Sequence, residues 1–378
     1  MRKKKFFNKL LAALSSSKLA LALVLLLIVF SIAGAMLPQE GLFKAAEITR
    51  WQQQHPLVTT LFKPLGLFRV FHSVPFLIII LLFTVNTLTC TGLFLYREGG
   101  LAAFKGPGAM RRYGFLFLHL SLIVLFAGGF LSTAAGLDGR ILLTEGQSFK
   151  EERSNYLRLV EGPLRRENHK GFILLLKELK VKYERQVHPV DVVSYLEVGD
   201  SSGKTGEGIV KINYPFSYRG LTFTHHEIGF SPRIMIRDEK NNKLLVNSFV
   251  ALKTFRTGVE WEYRDFLPLP FFKQRVIVTV YPAYKQVGDK VQKSGETPDN
   301  PMLLIEMEDE SGKVVFKGRA PFRGSAEIGG YSFHFAELRR WVSFRVTDDP
   351  GYPIVLLALW MGLAAILLRY IPDIAKWR

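Results

Sequence analysis

Cysteine is almost absent from this 378-residue chain, which has a single example, Cys90. One thiol excludes an intrachain disulfide framework and any metal site built from several cysteines. The sequence also lacks a Ser–His–Asp order, a Walker loop, a Rossmann glycine pattern and an HExxH helix. Without these motifs, the chain has no independent hydrolytic or phosphoryl-transfer site.

Acidic residues are also scarce, since 33 Asp and Glu stand against 50 Lys and Arg. A basic excess can indicate nucleic-acid binding, but the sequence contains no RNA- or DNA-binding motif. Much of the excess lies beside long apolar segments, where the positive-inside rule accounts for it. We therefore expect a lipid bilayer, and no nucleic acid, among the partners of this chain.

Long apolar segments occur four times, and a helix needs about 20 such residues to cross a bilayer. They predict transmembrane helices at residues 19–37, 76–96, 113–135 and 354–371. The first segment follows a basic start, as a signal peptide would. It is longer than a usual signal-peptide core and further spans follow, so it indicates an anchor.

The orientation of these spans follows from the basic segments between and beyond them. These segments are residues 1–18, 97–112 and 372–378. Their charge places them in the cytoplasm, so the connection 38–75 and the region 136–353 lie outside the membrane. A short interfacial helix is expected within the connection, at residues 42–54.

Region 136–353 mixes charges of both signs with short alternating apolar runs. Turn signals such as YRG and DEKNNK separate these runs. The pattern predicts an extracytoplasmic all-β domain of the sandwich type. Leu221–Glu227 and Arg233–Arg237 are expected as separate strands, whereas Phe172–Tyr183 fits a helix or a strand.

His119 is the one basic side chain within the third span. The residues three and four positions away are apolar: Phe115, Leu116, Leu122 and Ile123. The imidazole should therefore have a partner from another helix, another chain or a ligand. A neutral imidazole is a good axial ligand for iron. The alternative is a hydrogen bond to Asn86 or to a threonine of the second span.

Five motifs, taken in order and spacing, resemble the ResB family of system II cytochrome c biogenesis. They are SSSKLALALVLLLIVFSIAGAMLPQ, FHSVPFLIIILLFTVNTLTC, RRYGFLFLHLSLIVLFAGGFLSTAAGLDGRILLTEGQ, INYPFSYRGLTFTHHEIG and VTDDPGYPIVLLALWMGLAAILL. The sequence departs from the family pattern at His225–His226, where an aromatic–Gln pair is expected.

The resemblance implies a protein of the bacterial cytoplasmic (inner) membrane that works with a ResC/CcsA-type membrane protein. Together such proteins move haem across the membrane and attach it to the Cys-x-x-Cys-His motif of apocytochrome c. By this resemblance His119 is an axial ligand of a transient haem b, shared with a His of the partner. The chain is then a non-catalytic or co-catalytic subunit of a haem lyase (cytochrome c synthase) complex, with no catalytic residue of its own.

Two other functions fit parts of the pattern. Four spans and a β-domain also suit a membrane-anchored scaffold that binds a protein or envelope component without a cofactor. An electron-carrying b-type cytochrome fits less well, because it normally needs two intramembrane His ligands and only His119 lies within a span.

The remaining candidates favour ordinary structural roles. His72, beside Ser73, is expected at the membrane interface, with an outer haem ligand as the alternative. Cys90 is expected as a packing residue, because a thiol relay needs a second cysteine. His225 and His226 are adjacent on a strand and point to opposite faces, which does not suit a shared metal. Surface or turn positions are expected for His55, His169, His188 and His334.

Overall fold

The computed structural model describes residues 9–40, 43, 45–97, 109–165, 169–184, 188–200, 203–257, 260–270, 272–287 and 290–374. Parts of the predicted basic segments 1–18, 97–112 and 372–378 lie outside the described residues, namely residues 1–8, 98–108 and 375–378. The chain forms two compact units. One comprises Met1–Ala134 with Asp349–Arg378 and is helical, and the other, Ala135–Asp348, is built from β-strands.

In the described residues, the helical unit contains six α-helices, which follow a short helical segment at residues 9–14. The helices are α1 (Ser17–Met36), α2 (Ala45–Gln54), α3 (Pro56–Phe62), α4 (Val74–Arg97), α5 (Ala109–Ala135) and α6 (Tyr352–Ile374). Helices α1, α4, α5 and α6 are long and apolar enough to cross a membrane. The prediction of four such helices is therefore confirmed.

Small residues let the backbones of α5 and α6 approach closely. Gly114, Ser121 and Gly128 are buried and lie seven residues apart, so they share one face of α5. A Cβ atom on Gly128 would lie 2.9 Å from Cγ2 of Val355 in α6. A Cβ atom on Gly114 would lie 2.8 Å from the backbone nitrogen of Arg369. This is the small-residue packing typical of helices in lipid.

The connection between α1 and α4 is folded. It contains α2, α3 and a 3₁₀ helix, Leu67–His72. The buried side chain of Gln39 donates to the carbonyl of Leu67 at 3.0 Å and accepts from the backbone N–H of Val70 at 3.0 Å. Helix α2 lies within the range predicted for an interfacial helix, while α3 and the 3₁₀ helix were not expected.

The β-unit contains eighteen strands in the described residues. They are β1 (Leu137–Thr144), β2 (Ser148–Lys150), β3 (Arg158–Glu161), β4 (Ile173–Glu184), β5 (His188–Asp200), β6 (Gly203–Lys211), β7 (Phe216–Tyr218), β8 (Leu221–Asp238), β9 (Lys243–Phe249), β10 (Thr254–Thr257), β11 (Glu260–Leu267), β12 (Arg275–Tyr281), β13 (Ala283–Val287), β14 (Lys290–Gly295), β15 (Met302–Glu308), β16 (Val314–Pro321), β17 (Ser325–Ile328) and β18 (Tyr331–Asp348). The β-rich character predicted for this region is confirmed.

These strands pair antiparallel in four sheets. A seven-stranded sheet has the order β3-β1-β18-β8-β7, with β17 added to β18 and β9 added to β8. The others are a four-stranded sheet, β2-β4-β5-β6, a five-stranded sheet, β10-β11-β12-β15-β16, and the β13-β14 pair. Strand β4 resolves the ambiguity at Phe172–Tyr183 in favour of a strand.

Two hydrophobic cores fill this unit, and β8 and β18 contribute to both. Phe223 of β8 and Phe344 of β18 belong to the first core, with residues of the four-stranded sheet. Ile234 of β8 and Phe333 of β18 belong to the second, with residues of the five-stranded sheet. The prediction of separate strands at Leu221–Glu227 and Arg233–Arg237 was wrong. Strand β18 pairs along almost the whole of β8 and keeps it continuous.

Candidate functional site

His119 lies half-buried in α5, and one of its ring nitrogens is held by its own helix. Its Nδ1 atom is 3.0 Å from the carbonyl oxygen of Phe115, one helical turn earlier. A carbonyl only accepts, so Nδ1 carries the proton and donates. Sequence reasoning looked for a partner outside the helix and missed this backbone acceptor, because side-chain identities do not reveal it.

The other ring nitrogen of His119 remains available. Among the residues that the structure describes, the hydrogen bond shown for this ring is the one at Nδ1, and Nε2 has no partner. With Nδ1 protonated, the lone pair of a neutral imidazole lies on Nε2. Histidines that bind metals usually donate their second N–H to a carbonyl or carboxylate in this way. The donor set therefore fits an axial ligand of haem iron, although one imidazole makes only half of a bis-His site.

Two aromatic contacts fix how α5 lies against α4. The rings of Phe115 and Phe94 have centroids 4.5 Å apart, and those of Phe126 and Phe83 are 5.7 Å apart. The helices therefore run antiparallel along a shared seam. His119 lies four residues after Phe115 and seven before Phe126, so it is on this seam. Its ring is 4.0 Å from that of Phe115.

Cys90 occupies the matching position in α4. It lies four residues before Phe94 and seven after Phe83, which mirrors the spacing of His119 from their aromatic partners. The two aromatic contacts thus place Cys90 at the same level as His119. Cys90 is a half-buried free thiol. Sequence reasoning assessed Cys90 alone and missed this relationship, although the mirrored phenylalanine spacing was visible.

The alternative partners of His119 are bonded elsewhere. The Nδ2 atom of Asn86 donates to the carbonyl of Ser16, at 3.2 Å, and to that of Leu14. The threonine hydroxyls of α4 donate to carbonyls four residues earlier in that helix, which applies to Thr84, Thr87, Thr89 and Thr91. Asn86 therefore binds the backbone carbonyls of the segment that precedes α1 and makes no hydrogen bond to His119.

The adjacent histidines of β8 do not converge on a ligand. His225 Nε2 is 2.8 Å from Ser194 Oγ, and burial lowers the pKa of His225 to about 4. His226 sits at a β-bulge, is exposed and lies 3.8 Å from Glu227. Ser194 is fully buried, so this Ser–His pair is closed to a substrate.

Other candidate positions also lack a metal-binding arrangement. His72 is exposed at the end of the 3₁₀ helix, and the side chain of His188 lies outside the described residues. His55 lies against Trp51, and Nδ1 of His334 lies 3.0 Å from Ser325 Oγ. Across the described ranges, no group of three or more His, Cys, Asp or Glu side chains could hold a metal ion.

His169 was expected at a surface or turn position, and the structure places it in the connection between β3 and β4 with its side chain largely buried. Its Nδ1 lies 2.7 Å from Oε1 of Glu151, a carboxylate that is only 1% exposed. The Tyr156 hydroxyl donates to the same oxygen at 3.0 Å. Burial, with the adjacent Glu151 charge, raises the pKa of Tyr156 above its usual range. Sequence reasoning missed this cluster because its members are distant in sequence and match no motif.

The fold thus has four helices long and apolar enough to cross a membrane, and a β-rich unit lies between the third and fourth of them in the chain. The model of the ResB-like family matches residues 17–92 and 96–373, and the chain belongs to this family.

Named relatives share low sequence identity with this chain. The chain is 22% identical over 297 residues to cytochrome c biogenesis protein Ccs1 of Rhodomonas salina, covering 76% of this chain and 58% of the relative. It is 19% identical over 287 residues to cytochrome c biogenesis protein CcsB of Microcystis aeruginosa, covering 75% and 56%. For CcsB of Prochlorococcus marinus the identity is 21% over 283 residues, covering 74% and 57%. The chain spans less than three-fifths of the length of these curated relatives.

Proposed function

We propose that this chain is a subunit of a system II cytochrome c synthase complex in the bacterial cytoplasmic membrane. It helps haem cross the membrane and become covalently attached to apocytochrome c, together with a ResC/CcsA-type partner. Its family membership and the names of its relatives, which are cytochrome c biogenesis proteins, support this proposal. The four long apolar helices support the membrane location.

One observation carries the proposal: His119 has Nδ1 bonded to its own helix and Nε2 free on an apolar seam. We propose that Nε2 is an axial ligand of haem b iron, shared with a histidine of the partner. The ring need not reorganise to bind, because the Phe115 carbonyl already selects the tautomer that leaves Nε2 unprotonated. In this function the chain ligates and positions haem, and the β-unit braces the partner or holds apocytochrome c.

The chain contributes no bond-making group of its own to the thioether reaction. Haem supplies the vinyl groups and a redox-active iron, and apocytochrome c supplies the thiols. The role that remains for His119 is to hold the iron at a fixed point while the partner completes the coordination. This describes a non-catalytic or co-catalytic subunit.

The test is to purify the complex with its partner and to compare absorption spectra of the wild type and His119→Ala. We expect the variant to lose haem, and His119→Gly with added imidazole to regain it. Ser121→Ala, in the same helix but on the face towards α6, is the matched control. An unchanged haem content and iron-ligand spectrum in His119→Ala would reject the ligand role. A complex that assembles without haem would instead favour a cofactor-free scaffold.

A further inference from the structure

The segment 45–72, here called the outer hairpin, contains α2, α3 and the 3₁₀ helix, and it is fastened to the end of α1. Val70 is fully buried and lies so close to Gly34 that a Cβ atom there would clash with it. Leu37, Leu67 and Val70 form a small core with further apolar side chains packed against it, namely Phe30, Ala33, Trp51, Val58 and Phe62. The outer hairpin therefore moves with α1.

This core sets the depth of the outer hairpin. Phe30 and Gly34 lie six and two residues before Met36, the last residue of α1, which corresponds to about 9 and 3 Å along the helix. Helix α1 has 20 residues, so it is about 30 Å long and equals the hydrocarbon thickness of a bilayer. A helix of this length has no additional turn that could extend beyond the hydrocarbon core. The outer hairpin thus packs beside the final turns of α1, at the boundary between acyl chains and headgroups.

The outer face of the hairpin carries exposed apolar side chains, although polar side chains would be favoured at a surface in contact with water. Leu57 is 81% exposed and Leu61, one turn later in α3, is 67% exposed. Leu65 follows in the turn after α3 and is exposed as well. About 100° around α3 from these leucines, Val58 and Phe62 pack against the core described above. Helix α3 therefore has two neighbouring apolar faces, and the described residues cover only one of them.

The charges around this face favour a lipid surface. Exposed Lys63 and Arg69 flank Leu65, and Arg50 adds a third positive charge. The outer hairpin contains one acidic residue, Glu47, so these positive charges are in excess. Apolar side chains beside basic ones are the pattern of helices that lie in the membrane interface and meet anionic headgroups.

Exposed apolar side chains also lie at the ends of the long helices that flank the hairpin in the chain. Met36, at the end of α1, is 77% exposed, and Val74, at the start of α4, is 68% exposed. Exposed apolar residues therefore occur both on the hairpin and on the helix ends that join it. A protein partner would need to cover all of them, whereas a bilayer that surrounds the long helices also covers their ends.

We propose that the outer hairpin binds the outer leaflet, with Leu57, Leu61 and Leu65 among the acyl chains and Lys63 and Arg69 at anionic headgroups. This inference rests on the membrane location in the proposed function, and it adds a second, interfacial membrane contact. The hairpin then fixes the outer ends of α1 and α4 at a set depth in the bilayer.

The single native cysteine makes a direct test possible. In a Cys90→Ala background, Leu61→Cys is labelled with an environment-sensitive fluorophore, and the protein is reconstituted alone in phosphatidylcholine–phosphatidylglycerol vesicles. Gln53→Cys, exposed on α2, is the matched control. We expect blue-shifted emission at position 61, quenching by brominated lipids and protection from iodide. Position 53 should show iodide quenching.

Iodide quenching at position 61 equal to that at position 53 would overturn the proposal. Protection at position 61 that appears only when the ResC/CcsA-type partner is added would also overturn it and would identify a protein contact. The result is independent of haem. A loss of haem binding with lipid quenching intact would refute the proposed function alone, and the reverse outcome would refute the hairpin proposal alone.

Discussion

Phe115 supports His119 in two ways. Its carbonyl oxygen accepts from Nδ1 of His119 at 3.0 Å, and its ring centroid lies 4.0 Å from that of the imidazole. Both contacts follow from a spacing of four residues on one helix. Since the same ring also contacts Phe94 of α4, the position of the imidazole depends on the packing of two helices.

Replacing Phe115 should therefore weaken haem binding without abolishing it. Phe115→Ala keeps the backbone carbonyl and the tautomer of His119 but removes the ring that supports the imidazole. We expect reduced haem content, intermediate between wild type and His119→Ala, in the purified complex. Phe117→Ala, which removes an exposed ring of the same helix, is the control. Equal losses in both variants would show that the effect is a general one on α5.

The contact between α5 and α6 can be tested with two adjacent glycines. Gly128→Leu places a side chain against Val355, 2.9 Å from the first added atom, whereas nothing lies within 4 Å of a Cβ on Gly129. Overpacking typically costs about 1–3 kcal/mol. We expect a lower thermal unfolding temperature in detergent for Gly128→Leu and little change for Gly129→Leu. The pairing of the two helices is contradicted if both variants unfold alike.

The buried Glu151 carboxylate is stabilised by its hydrogen-bond donors, so the loss of one donor should lower the stability of the β-unit. Tyr156→Phe removes a hydroxyl that lies 3.0 Å from Oε1 and leaves the charge with fewer partners. A hydrogen bond to a charged group contributes about 1.5–3 kcal/mol, so we expect a loss of this size in the free energy of unfolding of the β-unit. Chemical denaturation in detergent, followed by circular dichroism, measures it. Tyr214→Phe, at an exposed position, should behave as wild type.

His225 should make the β-unit sensitive to acid. Burial lowers its pKa to about 4, whereas an unfolded histidine titrates near about 6.5. The folded state thus favours the neutral ring. This contribution to stability is present above about pH 6.5 and is lost as the pH falls towards 4. We expect the unfolding temperature to fall over this range.

His225→Gln should reduce this acid sensitivity, since the variant has no imidazole to protonate. Wild type and variant are compared at a series of pH values between 7 and about 4. His334→Gln is the control. His334 lies on β18 and pairs with Ser325 of β17, so this variant should keep the pH profile of the wild type. An unchanged profile in His225→Gln would assign the acid sensitivity to another group.

The long helices and the β-rich region were predictable because they depend on composition over many residues. Length and apolarity identify α1, α4, α5 and α6, and alternation identifies strands such as β5. The continuity of β8 was not predictable, because Gly229 and Pro232 look like a break in the sequence. Pairing with a distant strand, β18, overrides that local signal.

The candidate site was also predictable in part from the sequence. His119 was found because it is a lone basic residue among apolar ones. Its hydrogen bond to the Phe115 backbone could not be predicted, because the acceptor is not a side chain. Its position at the same level as Cys90 could not be predicted either, because it depends on how two helices align. The Glu151–His169 pair was missed for a related reason, since a buried charge is visible only once the chain is folded.

Strand β18 has consequences for how the β-unit responds to force. It has 18 residues, about 60 Å at roughly 3.3 Å per residue, and ends at Asp348, four residues before α6 begins. Since β8 is paired with it through both cores, neither core can swing separately. The two cores therefore respond to force as one stiff body, so a protein bound over one core stays at a constant distance from the other.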